Sequence, residues 1–160
     1  MAVKIGDAVP DLTLAVMGGS GPEQVSTGDL FKGKKVVAFA LPGAFTPTCS
    51  AKHLPGFVAN SDAIKAKGVD TVMCLSVNDV FVMDAWGKDQ NVGDSVAMVA
   101  DGSGALTNAL GLQLDLTERG LGVRSQRYSM IVDDGVVSAL NIDEGGAFEV
   151  SSAEKILEQL

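Results

Sequence analysis

The run Lys35-Val36-Val37-Ala38-Phe39-Ala40-Leu41, closed by Pro42-Gly43 and followed by Thr46-Pro47-Thr48-Cys49, decides the fold. Its apolar residues are continuous rather than alternating, the pattern of a strand buried on both faces of a sheet. Beyond the Pro-Gly stop, residues 48–68 take up helical spacing. Leu54, Phe57, Val58 and Ile64 share one face, and Gly68 ends the segment. A buried strand feeding directly into a helix is the first half of a βαβ unit. Pro55 falls inside this helix and cannot donate to it, so a kink or bulge is expected there.

Working outward, residues 69–77 (VDTVMCLSV) read as a second buried strand. Asn78 is placed to cap the following helix, NDVFVMDAWGK, and SVAMV (95–99) reads as a third short strand. The pattern then changes. Residues 127–132 and 136–140, separated by Asp133-Asp134-Gly135, read as an antiparallel hairpin with Asp134-Gly135 as its turn. Ser151-Ser152-Ala153-Glu154 has the form of a capping box opening a helix to Leu160. GGSGP (18–22) reads as a loop, not a linker. The order suggests one α/β domain over residues 1–160, a mixed β-sheet flanked by helices and of thioredoxin-like type.

Composition narrows the function. The 160 residues are 46% hydrophobic, which excludes a disordered chain. Twenty acidic against 12 basic residues give a net charge of −8, which argues against nucleic acid or an anionic membrane as the main partner. Two Cys cannot build a disulfide scaffold, and with one His they make a poor zinc site. The longest uncharged stretch, residues 36–51, contains Pro42, Gly43 and Pro47 and is no transmembrane helix. No targeting signal is read at MAVKIGDAVPDLTL, so the expected compartment is the cytoplasm, where thiols stay reduced.

Two Cys can still do thiol chemistry. Cys49 falls in the first turn of the expected helix, with Thr46 and Thr48 suited to capping and Pro47 suited to opening the turn. Free N–H groups and the positive end of the helix dipole favour an anion there, and the thiolate is the nucleophile. The competing reading is a small buried hydrophobe, as many free Cys are.

The flanks decide between these. The window LPGAFTPTCSAKHLPG (41–56) resembles the active-site segment of the peroxiredoxins, most closely the type II (peroxiredoxin-five) group. Pro42, Thr46 and Cys49 meet the family pattern Pro-x-x-x-Thr-x-x-Cys, and His53, Leu54 and Pro55 extend it in the type II manner. The resemblance continues through VMCLSVNDVFVMDAW (72–86) and RSQRYSMIVDDGVV (124–137). It implies a thiol-dependent peroxidase that reduces hydrogen peroxide and alkyl hydroperoxides through a Cys49 sulfenic acid, without metal, haem or flavin. Thr46 matches the threonine whose hydroxyl contacts thiolate and peroxide. Pro42 matches the proline that shields the thiolate, and Arg127 matches the arginine that closes the site from another strand. Gly43 and Thr48 are substrate-binding candidates.

The remaining candidates are weaker. Arg124 is an accessory charge and the rival to Arg127. His53, four residues after Cys49, is read as structural or weakly electrostatic, with a place beside the site as the alternative, rather than as a general base. Cys74 reads as a buried core thiol, with a resolving role as the alternative. Some subfamily members carry a resolving cysteine near the C-terminus, and residues 145–153 here have none. We therefore expect a one-Cys cycle with an external thiol, glutathione with glutaredoxin ahead of thioredoxin. A thiol–disulfide oxidoreductase would need a second Cys where Lys52 stands; a peroxide sensor is the other alternative. Gly102-Ser103-Gly104 is read as a loop, not a dinucleotide site, and Asp133-Asp134 and Asp143-Glu144 as turns or solvated faces. Phe45 and Phe81 are candidate contributors to a non-covalent homodimer.

Overall fold

The structure, a computed structural model, describes residues 2–160. The expected strand is β3 (Lys35–Ala40), preceded by a hairpin of β1 (Thr13–Gly18) and β2 (Gly21–Ser26) and a short helix α1 (Thr27–Phe31). After β3 a π-helical turn, Cys49–His53, runs into α2 (Leu54–Ala66). Then follow β4 (Thr71–Ser76), α3 (Val80–Asp89), β5 (Ala97–Ala100), α4 (Ala105–Leu110), β6 (Gln113–Leu116) and β7 (Gly122–Ser125). The chain closes with β8 (Arg127–Asp133), β9 (Val136–Asp143) and α5 (Ala153–Gln159).

Seven strands form a mixed sheet in the order β2-β1-β5-β4-β3-β8-β9, and β6 and β7 make a separate ribbon. β3 pairs in parallel with β4, and β4 with β5; the other pairings are antiparallel. The expected thioredoxin-like mixed sheet between helices is thus the observed architecture. Along β3 the side chains alternate between two buried layers. Val37 and Phe39 join Leu54, Phe57 and Ile64 of α2, Trp86 of α3 and Ile156 of α5. Val36, Ala38 and Ala40 join Phe31, Leu106, Leu110 and Tyr128. In the first of these layers the Phe39 and Phe57 rings stack with centroids 4.0 Å apart. Truncating such a buried ring costs about 3–5 kcal/mol.

Two features of this frame build the site. The end of β3 delivers residues 41–48 to the rim of the sheet. β8 lies antiparallel beside β3 with Tyr128 opposite Ala40, so Arg127 sits next to the point where β3 releases the chain. The bulge expected at Pro55 is the π-helical turn: the Leu54 N–H bonds to the Cys49 carbonyl, and Pro55 follows within the first turn of α2.

Several local expectations change. Asp79, not Asn78, caps α3, its carboxylate accepting the Val82 N–H at 2.9 Å. The third strand is 97–100 rather than 95–99. Ser152 caps α5 through the Lys155 N–H, while the Ser151 hydroxyl donates to Asp143. GGSGP is the turn of the β1–β2 hairpin, where Gly18 pairs with Gly21. Asp143, read as solvated, is 3% exposed. Gly102 and Ser103 form a turn ahead of α4, as expected of a loop.

Candidate active site

Asn78 shapes the segment that carries Cys49. Its Oδ1 accepts the Ala44 N–H at 2.9 Å and the Ser76 hydroxyl at 2.6 Å, tying the post-β3 loop to the end of β4. Phe45 then takes a left-handed conformation, φ 63°, and its ring is left exposed. The Thr46 hydroxyl donates to the Gly43 carbonyl at 2.6 Å. The Thr46 carbonyl accepts from the Ser50 N–H at 3.0 Å, so the first helical turn opens at Thr46 with Pro47 behind it. Thr48 makes no side-chain cap bond. Cys49 follows, 1% exposed, at the head of the π-helical turn.

Arg127 reaches the sulfur from β8. Its side chain is buried, and Nη2 donates to Cys49 Sγ at 3.3 Å. Nη1 donates to His53 Nδ1 at 3.0 Å. The guanidinium also lies 5.8 Å from the centre of the Phe148 ring, and its Nε has no partner among the described residues. The guanidinium cannot lose its proton, so it stands as a fixed donor to the sulfur.

The surroundings fix the state of His53. Nε2 faces the Ser151 carbonyl at 3.0 Å, which can only accept, and Nδ1 faces an arginine, which can only donate. Both contacts require the proton on Nε2. Burial, then the Arg127 charge, push the imidazole down from 6.5 to about 3, so the ring is neutral. It packs against Phe39, Phe57 and Phe148. His53, read from sequence as structural or weakly electrostatic, is in direct contact with Arg127.

The other sequence candidates fall on either side of this cluster. Arg124 does not reach the sulfur: Nε donates to Leu121 O at 2.8 Å and Nη1 to Pro42 O at 3.1 Å. It braces the Pro42-Gly43 wall. A Cβ on Gly43 would lie 2.6 Å from Arg124 Nη1, so a larger residue here would push that guanidinium off the Pro42 carbonyl. Cys74 is fully buried on β4, in the same apolar layer as Cys49. Burial pushes its thiol well up, and the neighbouring Cys49 adds to that effect. Sequence reasoning missed three contributors: Asn78 as the loop's anchor, Phe148 against the guanidinium, and Ser151 behind His53. No local motif marks them, because each works through a contact distant in sequence.

A buried thiol held by a guanidinium at a strand-to-helix junction defines a class of thiol protein, and comparison with known proteins agrees. The Redoxin family profile matches residues 4–157. Peroxiredoxin-2B of Arabidopsis thaliana is 50% identical over 99% of this chain and 98% of its own length. The structure of reduced Prx3 from Vibrio vulnificus, in complex with H2O2, superposes with a TM-score of 0.94 at 50% identity, covering 98% of each chain. Peroxiredoxin 5 of Alvinella pompejana gives a TM-score of 0.86 at 32% identity over 98% of this chain and 96% of that one. The chain belongs to the redoxin family, among the peroxiredoxins.

Proposed function

We propose that this chain is a thiol-dependent peroxidase acting on hydrogen peroxide and alkyl hydroperoxides, with Cys49 as the nucleophile. The observation that carries the reading is the Arg127 Nη2 donor 3.3 Å from Cys49 Sγ in a buried site. The thiolate attacks the terminal oxygen, the O–O bond breaks, and the departing oxygen leaves as water or an alcohol after taking a proton. Cys49 is left as a sulfenic acid. The transition state carries negative charge on both sulfur and departing oxygen. Arg127 serves both without changing its own protonation. Thr46, whose proton is committed to Gly43, can only accept towards a peroxide, and so suits the protonated oxygen. Pro42, whose carbonyl accepts from Arg124, is assigned the shielding of the thiolate from water, and Gly43 and Thr48, on the same loop, are assigned to binding the peroxide.

The type II assignment is supported by LPGAFTPTCSAKHLPG (41–56) and by the likeness to peroxiredoxin 5 of Alvinella pompejana. Reduction of the sulfenic acid falls to an external thiol, glutathione with glutaredoxin ahead of thioredoxin. Cys74 is buried with its thiol pushed well up, which suits it poorly to a resolving role. The rings of Phe45 and Phe81, 53% and 64% exposed, suit a non-covalent homodimer, which sedimentation of wild type and Phe81→Glu would reveal.

Mass spectrometry after one equivalent of peroxide tests the central step. One added oxygen on Cys49, absent in Cys49→Ser, is expected; oxidation at the same rate in Cys49→Ser removes the reading.

A further inference from the structure

Arg127 and Asp143 are direct cross-strand partners on β8 and β9, yet they form no ion pair among the described residues. Opposite charges placed this way would ordinarily pair. Here the carboxylate turns instead to the segment before α5. It accepts the backbone N–H groups of Glu149 (3.1 Å), Val150 (3.0 and 3.1 Å) and Ser151 (3.0 Å), and the Ser151 hydroxyl (2.7 Å). Five bonds to one short segment fix the Ser151 backbone. Its carbonyl then accepts the hydrogen bond of His53 Nε2–H, and the Nδ1 lone pair accepts that of the Arg127 N–H.

We propose that Asp143 is a positioning residue for the Cys49 reaction, acting on Arg127 through Ser151 and His53. The proposal rests on the peroxidase reading above. Its logic is electrostatic. A carboxylate bonded directly to Arg127 would orient the guanidinium but neutralise the charge that the sulfur and the departing oxygen need. A neutral imidazole orients it and leaves that charge intact. The tautomer this requires is set from the far side by a carbonyl, and the carbonyl is set by Asp143. The segment carrying Ser151 also presents Phe148 to the guanidinium, so one anchor serves both supports of Arg127.

The test compares two reactions of Cys49 in the full chain: oxidation by hydrogen peroxide, and alkylation by iodoacetamide, whose leaving group gains little from Arg127. Asp143→Asn is expected to slow oxidation about ten- to a hundredfold, the usual loss when a partner behind a functional group is removed. Alkylation, which Arg127 serves only at the sulfur, is expected to slow much less than oxidation. Asp143→Glu, which keeps the carboxylate, should recover part of the loss. In an Arg127→Lys background Asp143→Asn should add little, because its route is gone. Equal slowing of both reactions, or an undiminished loss in the Arg127→Lys background, overturns the proposal. If the Asn variant does not fold, Ser151→Ala carries the test, since it removes one donor and keeps the carbonyl. Oxidation slowed much more than alkylation supports the relay, and unchanged oxidation overturns it. Failure of wild type itself to be oxidised at Cys49 would instead remove the peroxidase reading.

Discussion

The indole N–H of Trp86 donates to Ser50 Oγ at 3.0 Å, joining α3 to the residue directly after Cys49. Trp86 is fully buried, with the exposed Phe45 ring 6.4 Å from it. A change at the head of the π-helical turn therefore reaches the chain's one indole through a single hydrogen bond. We expect rapid mixing with peroxide to change Trp86 fluorescence at the rate of Cys49 oxidation. Ser50→Ala should reduce the amplitude more than the rate. A fluorescence change of wild-type size and speed in Cys49→Ser would show that the signal does not come from Cys49.

The two arginines should separate cleanly. Arg127 touches the sulfur, whereas Arg124 touches only the backbone carbonyls of Pro42 and Leu121. Removing a donor aimed at developing charge costs about 10²–10³-fold in rate. Arg127→Ala is expected to slow oxidation by that order. Arg124→Ala loosens the wall without removing the donor, and should cost about tenfold or less. Stopped-flow rates in the opposite order would mean that the geometry around Cys49 has been assigned to the wrong guanidinium.

Cys74 tests the recycling half of the reaction. Its side chain is fully buried among apolar neighbours, and burial keeps its proton on. Cys74→Ala should turn over peroxide with an external thiol at the wild-type rate, while losing about 1–2 kcal/mol of stability to the small cavity left behind. Normal sulfenic acid formation combined with lost turnover would make Cys74 a resolving cysteine and end the one-Cys cycle.

What was legible in the sequence follows from how each residue is held. β3 and β4 are buried on both faces, so their apolar runs declare themselves. The β8–β9 turn is equally plain, because Asp134 and Gly135 both take positive φ, 48° and 80°. β2 was invisible because GPEQVS is a polar edge strand with a proline, held by pairing to β1 rather than by burial. Asn78 and Asp79 are both capping residues, and only the loop folding back through Ala44 engages the first and leaves the cap to the second. Cys49 and Arg127 could be picked out from their motifs. The contact of His53 with Arg127 could not, because it depends on a π-helical turn and on a carbonyl 98 residues away.

That buried histidine makes stability depend on pH in a defined window. In the unfolded chain its imidazole takes up a proton near the ordinary 6.5, and in the folded chain only near about 3. Between these values the unfolded state binds more protons, so stability rises with pH across the window. The contribution is fully present above about 6.5 and is lost as pH falls towards about 3. One proton changes stability by roughly 1.4 kcal/mol per pH unit, and the full window is worth on the order of a few kcal/mol. Asp143 acts in the same direction at lower pH. Burial raises its carboxyl, but the Ser151 hydroxyl and the backbone N–H groups of residues 149–151 outweigh burial and hold it below the ordinary 3.8. Its contribution is present above that value and is lost in stronger acid. Urea unfolding at a series of pH values separates the two. His53→Gln should flatten the arm between 6.5 and 3.8 while keeping the steeper acid fall below it. Parallel curves for wild type and His53→Gln through the upper arm would mean that His53 is protonated in the folded chain, and that Arg127 is held by something other than a neutral ring.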